Sequence, residues 1–276
     1  MTAVRAVRRG LSYGVLAVIT FVLLFPLLYA VSGSLMSASE ISSFPPPLLP
    51  SRPNVQNFAD VLKALPLARQ YLNSAIVAIC VMLGQLFTAT LSAYAFAFLR
   101  FPFRNVVFAV FLATMMIPWE AVIIPNYLFM ADNNLVNTYP AFILPFLAAG
   151  FGTFLLRQFF LTFPRDLFEA AKVDGCGHLR FLWSILIPLS KPALATLAIY
   201  AFLSAWNQYF WPLLMTKSDA MATLQIGIKR LQDVEAATAP NFILAGTVLA
   251  LIPTLILIYV FQRQIVRGLT SGALRG

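Results

Sequence analysis

Charge is scarce in this chain. Of its 276 residues 11% are charged and 60% are hydrophobic, and the mean hydropathy is +0.83. A soluble domain carries about 25% charged residues, so a water-soluble globule is excluded. Cysteine is nearly absent as well. Cys80 sits in an apolar run and Cys176 in a polar segment, too far apart to pair, so neither a disulfide framework nor a metal site is expected. His178 is the one histidine, and no triad or paired-carboxylate pattern accompanies it, so no catalytic residue is expected. The chain also lacks a G-x-x-x-x-G-K-[ST] loop, and with it a cradle for nucleotide phosphates. Its apolar runs do not alternate with period 2, which excludes barrel strands.

What is present is a series of apolar runs of 18 residues or more, each long enough to cross a hydrocarbon core of roughly 30 Å. Inside lipid the backbone must bond within its own segment, so the runs are expected to be helices. The fold class is all-α: a polytopic membrane protein with six transmembrane helices, near 11–35, 71–99, 105–130, 138–160, 192–214 and 241–262. The first run follows Arg5, Arg8 and Arg9 as a signal peptide does, but it outlasts the usual apolar stretch of roughly 7–15 residues and is expected to be retained. Between 36 and 70 the prolines at 45, 46, 47, 50 and 53 favour extended backbone, with a helical turn or two expected over Asn57 to Leu65.

Basic residues assign the sides. With the N-terminus inside, 13 of the 19 lysines and arginines fall on cytoplasmic segments and six outside. Both termini and the segment following residue 164 are therefore expected in the cytoplasm. The formal charge of +9 needs no nucleic-acid partner, because placement in a bilayer accounts for it.

The polar segment between the fourth and fifth runs reads "PRDLFEAAKVDGCGHLRFLWSILIPLSKP". Arg165 to Asp174 is expected to form a short helix, with Asp166 and Glu169 toward its positive end. Ala170 and Ala171 leave room for another surface to approach, and Glu169 offers a carboxylate to an arginine across a dry contact. Gly175 permits the turn that ends the helix, and Pro188 with Pro192 is expected to restart the chain toward the membrane. The bland alternative is a solvated helix in which Glu169 pairs with Lys172.

Glu169-Ala170-Ala171, three residues, Gly175, nine residues, then Ile185, Leu186, Ile187 and Pro188: this pattern resembles the cytoplasmic loop of binding-protein-dependent ABC import permeases. The one departure is Ile187 in place of leucine. The resemblance extends from about Tyr71 to the end of the chain, through "NSAIVAI", "AYAFAFLRFPFRN", "MMIPWEAVIIPNYL", "RQFFLTFPRDLFEAAKVDG" and "WNQYFWPLL". These strings are similar to the carbohydrate-type (maltose-permease-like) subfamily. "RQFFLTFP" and "WNQYFWPLL" are closest in appearance to its branch importing sn-glycerol-3-phosphate and glycerophosphodiesters, although sugar permeases share the framework.

The resemblance implies a division into a first transmembrane helix with an extracytoplasmic connector (1–70), a permease core (71–262, with its cytoplasmic coupling loop about 164–191) and a cytoplasmic tail (263–276). It implies a prokaryotic inner-membrane permease subunit paired with a second permease as a heterodimer. Two ATPase subunits, which would hold ATP and Mg, and an extracytoplasmic solute-binding protein complete the set, with no cofactor in this chain. Glu169, Ala170, Ala171, Asp174 and Gly175 are then the residues expected to couple to the ATPase.

Candidates for the solute path come from residue type. Glu120, in "IPWEAVIIP", is the one acid inside a span, and such residues are functional candidates by default. It would repel a phosphate and so favours a sugar or a zwitterionic diester. Alternatively it lies hydrated at the outer mouth or bonds backbone freed by Pro118 and Pro125. In "WNQYFWPL" aromatics and amides occur together, as hydroxyl-rich ligands require, or as an interfacial belt with interhelical bonds provides. Asn207 and Tyr209 are the candidates there, whereas Asn73 and Gln85 are expected to bond neighbouring helices. A rival reading is a secondary transporter driven by an ion gradient, which would want buried carboxylates or broken-helix ion sites. A membrane-embedded enzyme would need convergent acid, base or metal ligands at a span end, and the sequence has none.

Overall fold

The computed structural model describes residues 2–235 and 240–271, and every regular element among them is helical. In chain order these are α1 (Thr2–Ser34), α2 (Ala38–Ile41), α3 (Gln56–Ala64), α4 (Leu67–Phe98), α5 (Arg104–Thr114) and α6 (Trp119–Asp132). Then come α7 (Tyr139–Ile143), which runs into a 3₁₀ turn at Leu144–Phe146, α8 (Gly150–Phe160), α9 (Arg165–Val173) and α10 (His178–Phe181). A π-helical turn at Leu182–Leu186 joins α10 to α11 (Ile187–Leu189). The chain continues with α12 (Lys191–Trp206), α13 (Phe210–Met215), α14 (Leu224–Glu235) and α15 (Pro240–Ser271).

Three stretches are straight and apolar enough to cross a bilayer: Gly10–Ser34, Leu67–Phe98 and Pro240–Gln262. Three further crossings are bent pairs. Arg104–Thr114 meets Trp119–Asp132 at 89°, Tyr139–Phe146 meets Gly150–Phe160 at 44°, and His178–Leu189 meets Lys191–Trp206 at 82°, giving up to six spans. The continuous helices expected over 105–130, 138–160 and 192–214 are thus each interrupted. Pro118 removes a backbone donor and holds Ile117 out of the helical region, which parts α5 from α6. Asn207 is the C-cap of α12, and its backbone N–H and Nδ2 both donate to the Leu203 carbonyl, at 3.0 and 2.9 Å.

Two compact units emerge: Met1–Leu67 with Gly227–Ile252, and Ala68–Ile226 with Pro253–Gly276. The division differs from the one read at residues 70 and 262. In the first unit the apolar surface of α1 is exposed from Leu11 to Leu28, and only its end, at Ser32, Gly33 and Ser34, is buried; mean hydropathy over Gly10–Ser34 is 2.5. Such a helix is stable only with lipid against it. The side chains of Arg5, Arg8 and Arg9 lie outside the described residues, as do those of the expected tail from 263 onward and all of 272–276.

The polar centre of this unit is Asn57 on α3. It is 5% exposed, donates to the Ser34 and Met36 carbonyls at 2.8 Å each, and accepts from Asn54 and from Asn241 on α15. Every hydrogen-bonding atom of that amide is engaged, which is the condition for burying it without a penalty of about 1–3 kcal/mol. Asn57 therefore fixes the end of α1, the connector and the start of α15 together.

Glu40 organises the rest of the connector. Its carboxylate accepts from the Ser51 hydroxyl and backbone N–H and from the Ser37 backbone N–H, closing a capping box on α2. The Ser51 hydroxyl and then these N–H groups hold the carboxyl at about 2, below its ordinary 4.5. A carboxyl depressed in this way stabilises the fold fully above pH 4.5, and that contribution is lost as the pH falls through about 2. Hydrogen exchange at the Ser51 amide is accordingly expected to stay slow from pH 7 to 4.5 and to lose protection, after correction for intrinsic rates, toward pH 2. Uniform protection across that range would remove Glu40 from this role.

Candidate functional site

The segment after α8 folds as a bent knuckle within the second unit. α9 starts behind Pro164 with Asp166 in its first turn, where the helix end is positive. Its end is a full Schellman motif: Cys176 N–H donates to the Ala171 carbonyl at 2.9 Å and Gly175 N–H to the Lys172 carbonyl at 3.0 Å. Gly175 makes this possible at φ +75°, a conformation that costs a residue with a Cβ about 1–2 kcal/mol.

The two faces of α9 differ. Ala171 is 7% exposed and belongs to an apolar cluster with Phe181, Leu182, Leu186 and Tyr94. Contrary to expectation, its small side chain serves the chain's own packing rather than an outside surface. Asp166, Glu169, Ala170 and Val173 form the opposite, exposed arc, at the i, i+3, i+4, i+7 spacing of one helix face. Val173 is 88% exposed and Leu179, across the turn, 68%. Asp174 and Gly175 are exposed at the corner. Glu169 carries no hydrogen bond or ion pair among the described residues. The alternative pairing with Lys172 is not formed, because the Lys172 ammonium lies over the Phe168 ring, 4.9 Å from its centroid.

The helix resumes at His178, ten residues before the expected restart at Pro188. Pro188 has no N–H to close an ordinary helical turn, and a π-helical turn precedes it, in which Ile187 N–H reaches the Leu182 carbonyl. The sharp change of direction comes instead at Ser190, with Pro192 in the first turn of α12. His178, expected to stand alone, is held on two sides: Nδ1 lies 2.7 Å from the Tyr94 hydroxyl of α4, and the ring packs on Phe168 at 5.3 Å. Phe98 and Phe181 complete the clamp, each within 5.6 Å of Phe168. Both limbs of the knuckle are thereby fastened to the end of α4.

The residues expected along a path lie at the interruptions of the spans. Glu120 is exposed in the first turn of α6, where the freed N–H groups and helix dipole favour a carboxylate. Asn207 is exposed and Tyr209 partly exposed in the gap between α12 and α13. Three rings draw the interruptions together. Trp119 follows the 115–118 gap, Phe146 precedes the 147–149 gap, and Trp211 follows the 207–209 gap. Trp119 lies 4.7 Å from Phe146 and 5.6 Å from Trp211, centroid to centroid. Trp211 is fully buried and donates its indole N–H to the Ala141 carbonyl at 2.8 Å, so part of the aromatic string is structural. Asn73 and Gln85 each bond a neighbouring element: Asn73 donates to the Ala220 and Ala222 carbonyls and accepts from Tyr139, and Gln85 donates to the Phe146 carbonyl.

Three residues stand out that sequence reasoning passed over. Val173 lies in the three-residue spacer before Gly175 and Leu179 in the nine-residue spacer after it. Helical spacing from Asp166 reveals the first, and nothing local reveals the second. Trp206 is 4% exposed beside Asn207, and its indole N–H has no acceptor among the described residues.

The family described as binding-protein-dependent transport system inner membrane component matches residues 85–271. The sn-glycerol-3-phosphate transport system permease protein UgpE of Rhizobium meliloti is 38% identical over 258 residues, 91% of this chain and 92% of the relative. Its counterpart in Agrobacterium fabrum is 36% identical over 275 residues, 97% and 98% of the two chains. Among solved structures, a chain of a bacterial ABC transporter involved in the import of the acidic polysaccharide alginate superposes with a TM-score of 0.82 at 26% identity. That match covers 94% of this chain and 96% of the other.

The clamp has a measurable consequence. Tyr94→Phe keeps the ring packing and removes one hydrogen bond worth about 1 kcal/mol. Helical content is expected to be unchanged, while amide exchange over His178–Phe181 speeds up roughly fivefold. Unchanged exchange there would show that the rings alone hold the knuckle.

Proposed function

The chain belongs to the family of binding-protein-dependent transport system inner membrane components, and from that premise we propose how this permease subunit of an ABC importer is driven and what it carries. It pairs with a second permease of similar kind to enclose the solute path. Two ATPase subunits, which hold the ATP and Mg, sit beneath the pair, and an extracytoplasmic solute-binding protein delivers the solute. Both termini and the knuckle lie on the cytoplasmic side, where the basic residues collect.

The observation that carries the coupling role is the outward arc of α9. Asp166 and Glu169 present carboxylates without intramolecular partners, Ala170 leaves the backbone approachable, and Val173 adds an uncovered apolar side chain. An arginine of the ATPase meeting Glu169 across a desolvated contact would form a charge-assisted bond at this point. Asp174 and Gly175 keep the corner closed, so that a push on α9 reaches α4 through Tyr94, Phe98 and Phe168 rather than being absorbed by the loop. The helices then move between inward- and outward-facing arrangements.

For the solute, the reading best supported is sn-glycerol-3-phosphate or a glycerophosphodiester, on the strength of relatives so named at 36–38% identity over most of the chain. Asn207 and Tyr209 supply an amide and a phenol to hydroxyl groups. Glu120 favours the second reading, a sugar or oligosaccharide, or a diester whose cationic end offsets the phosphate.

Three experiments test the proposal. In vesicles holding the assembled importer, uptake is expected to require ATP and to survive dissipation of the proton gradient. Glu169→Lys is expected to abolish uptake and loosen the ATPase subunits while helical content stays intact; normal uptake in that variant would sink the docking role. Asn207→Ala is expected to raise the transport KM roughly fivefold, the scale of one lost hydrogen bond, with assembly unaltered. An unchanged KM would return Asn207 to capping α12.

A further inference from the structure

A cleft of about 560 Å³ opens beside the knuckle, on a face of α9 that adjoins its exposed arc. Arg165, Phe168, Glu169 and Lys172 line it from α9, at i, i+3, i+4 and i+7, and only Glu169 also belongs to the exposed arc. Arg100 and Arg104 line it from the connection between α4 and α5. Four permanent cations thus face one carboxylate, with His178 at the margin. Arg100 and Arg165 make no hydrogen bond or ion pair among the described residues. Arg104 donates one N–H to the Leu99 carbonyl at 3.1 Å and retains others.

The remaining lining is apolar, with Phe98, Phe160 and Phe163 among it. Two membrane crossings end here: α4 finishes at Phe98 and α8 at Phe160. The cleft therefore sits at the ends of two apolar helices, with phenylalanines and cations side by side in its lining. A small inorganic anion would leave the aromatic walls unused, and an apolar ligand would leave the cations unpaired. An amphiphile with a phosphate at its neck satisfies both, as basic pockets between transmembrane helices do.

We propose that this cleft is a binding site for one anionic phospholipid, its phosphate held by Arg100, Arg104, Arg165 and Lys172 and its upper acyl chain lying on the phenylalanine walls. The bound lipid neutralises repulsion among the four cations and braces the inner face of α9, so the site is independent of which solute the importer carries.

The test uses the full assembled importer in nanodiscs of equal phosphatidylglycerol and phosphatidylethanolamine with matched acyl chains. Lipids retained on gentle extraction are counted by native mass spectrometry. Wild type is expected to keep phosphatidylglycerol over phosphatidylethanolamine by about tenfold or more, tenfold being the scale of one or two basic side chains at an anionic surface. Arg100→Gln with Arg165→Gln is expected to bring the ratio near one, Lys172→Gln alone to reduce it severalfold, and Arg52→Gln, outside the cleft, to leave it unchanged. Equal retention in wild type, or an undiminished preference in the double variant, overturns the inference. So does displacement of phosphatidylglycerol by millimolar inorganic phosphate, which would make this a site for soluble phosphate. A double variant that keeps the lipid but sheds the ATPase subunits would make the cleft a protein-docking surface and overturn it equally.

Discussion

A peptide group without a hydrogen-bonding partner costs several kcal/mol in hydrocarbon, and the architecture of the second unit follows from how that constraint is met where spans break. The gap at 147–149 frees carbonyls that α4 then caps. Gln85 donates to Phe146 at 2.9 Å and Thr88 to Leu147 at 2.8 Å. Close approach is needed at the same place: a Cβ on Gly150 would fall 2.5 Å from Met115 Cγ, so the start of α8 lies directly against the first gap. Trp211 serves the Ala141 carbonyl, and Asn207 the Leu203 carbonyl. Irregular backbone in a membrane protein is tolerated where protein or a wet cavity surrounds it, and here it is gathered rather than scattered. Trp119, Phe146 and Trp211 hold the three gaps together, so each is surrounded by protein and no span unfolds to accommodate it.

Much of this was legible in the residues, and the remainder fails for identifiable reasons. Apolar run length gives the helices and up to six crossings, because it is a local quantity summed over a segment. The Glu169–Gly175–Pro188 spacing gives the knuckle, because a Schellman turn needs glycine at one position and a helix of fixed length before it. Pro118 announces the first gap. The 207–209 gap is quieter, since an asparagine caps a helix only when its side chain turns back, which the sequence does not reveal. Ala171 and Ala170 are indistinguishable in sequence, yet they face opposite ways. Which one is buried is decided by Phe181 and Leu182 beyond the turn. His178 reads as solitary because its partner, Tyr94, lies 84 residues away.

One element touches nearly everything of consequence in this unit. α4 is 32 residues long, about 48 Å at helical rise. Near its start Asn73 bonds the 220–222 backbone and Ser74 accepts from Leu224 N–H. In its middle Gln85 and Thr88 hold the break of the second bent pair, at Phe146 and Leu147. Further along, Ser92 bonds Thr153 of α8 at 2.6 Å, and at its end Tyr94 and Phe98 grip the knuckle. Ser74, Val77, Val81, Gln85, Thr88 and Ser92 recur every three or four residues, so one face of one helix carries the contacts.

A helix with that face engaged cannot absorb a displacement at one end by local unfolding, since each turn it would lose is tied to a different neighbour. Force applied at α9 therefore has two outlets, translation or tilt of α4 as a body, and either one moves the carbonyls of the 147–149 gap relative to Gln85 and Thr88. The interruptions are the compliant points and α4 is the stiff one. Such a division gives the prolines and the asparagine inside the crossings a mechanical meaning: uninterrupted helices would pack more simply, but would leave no compliant points between stiff segments.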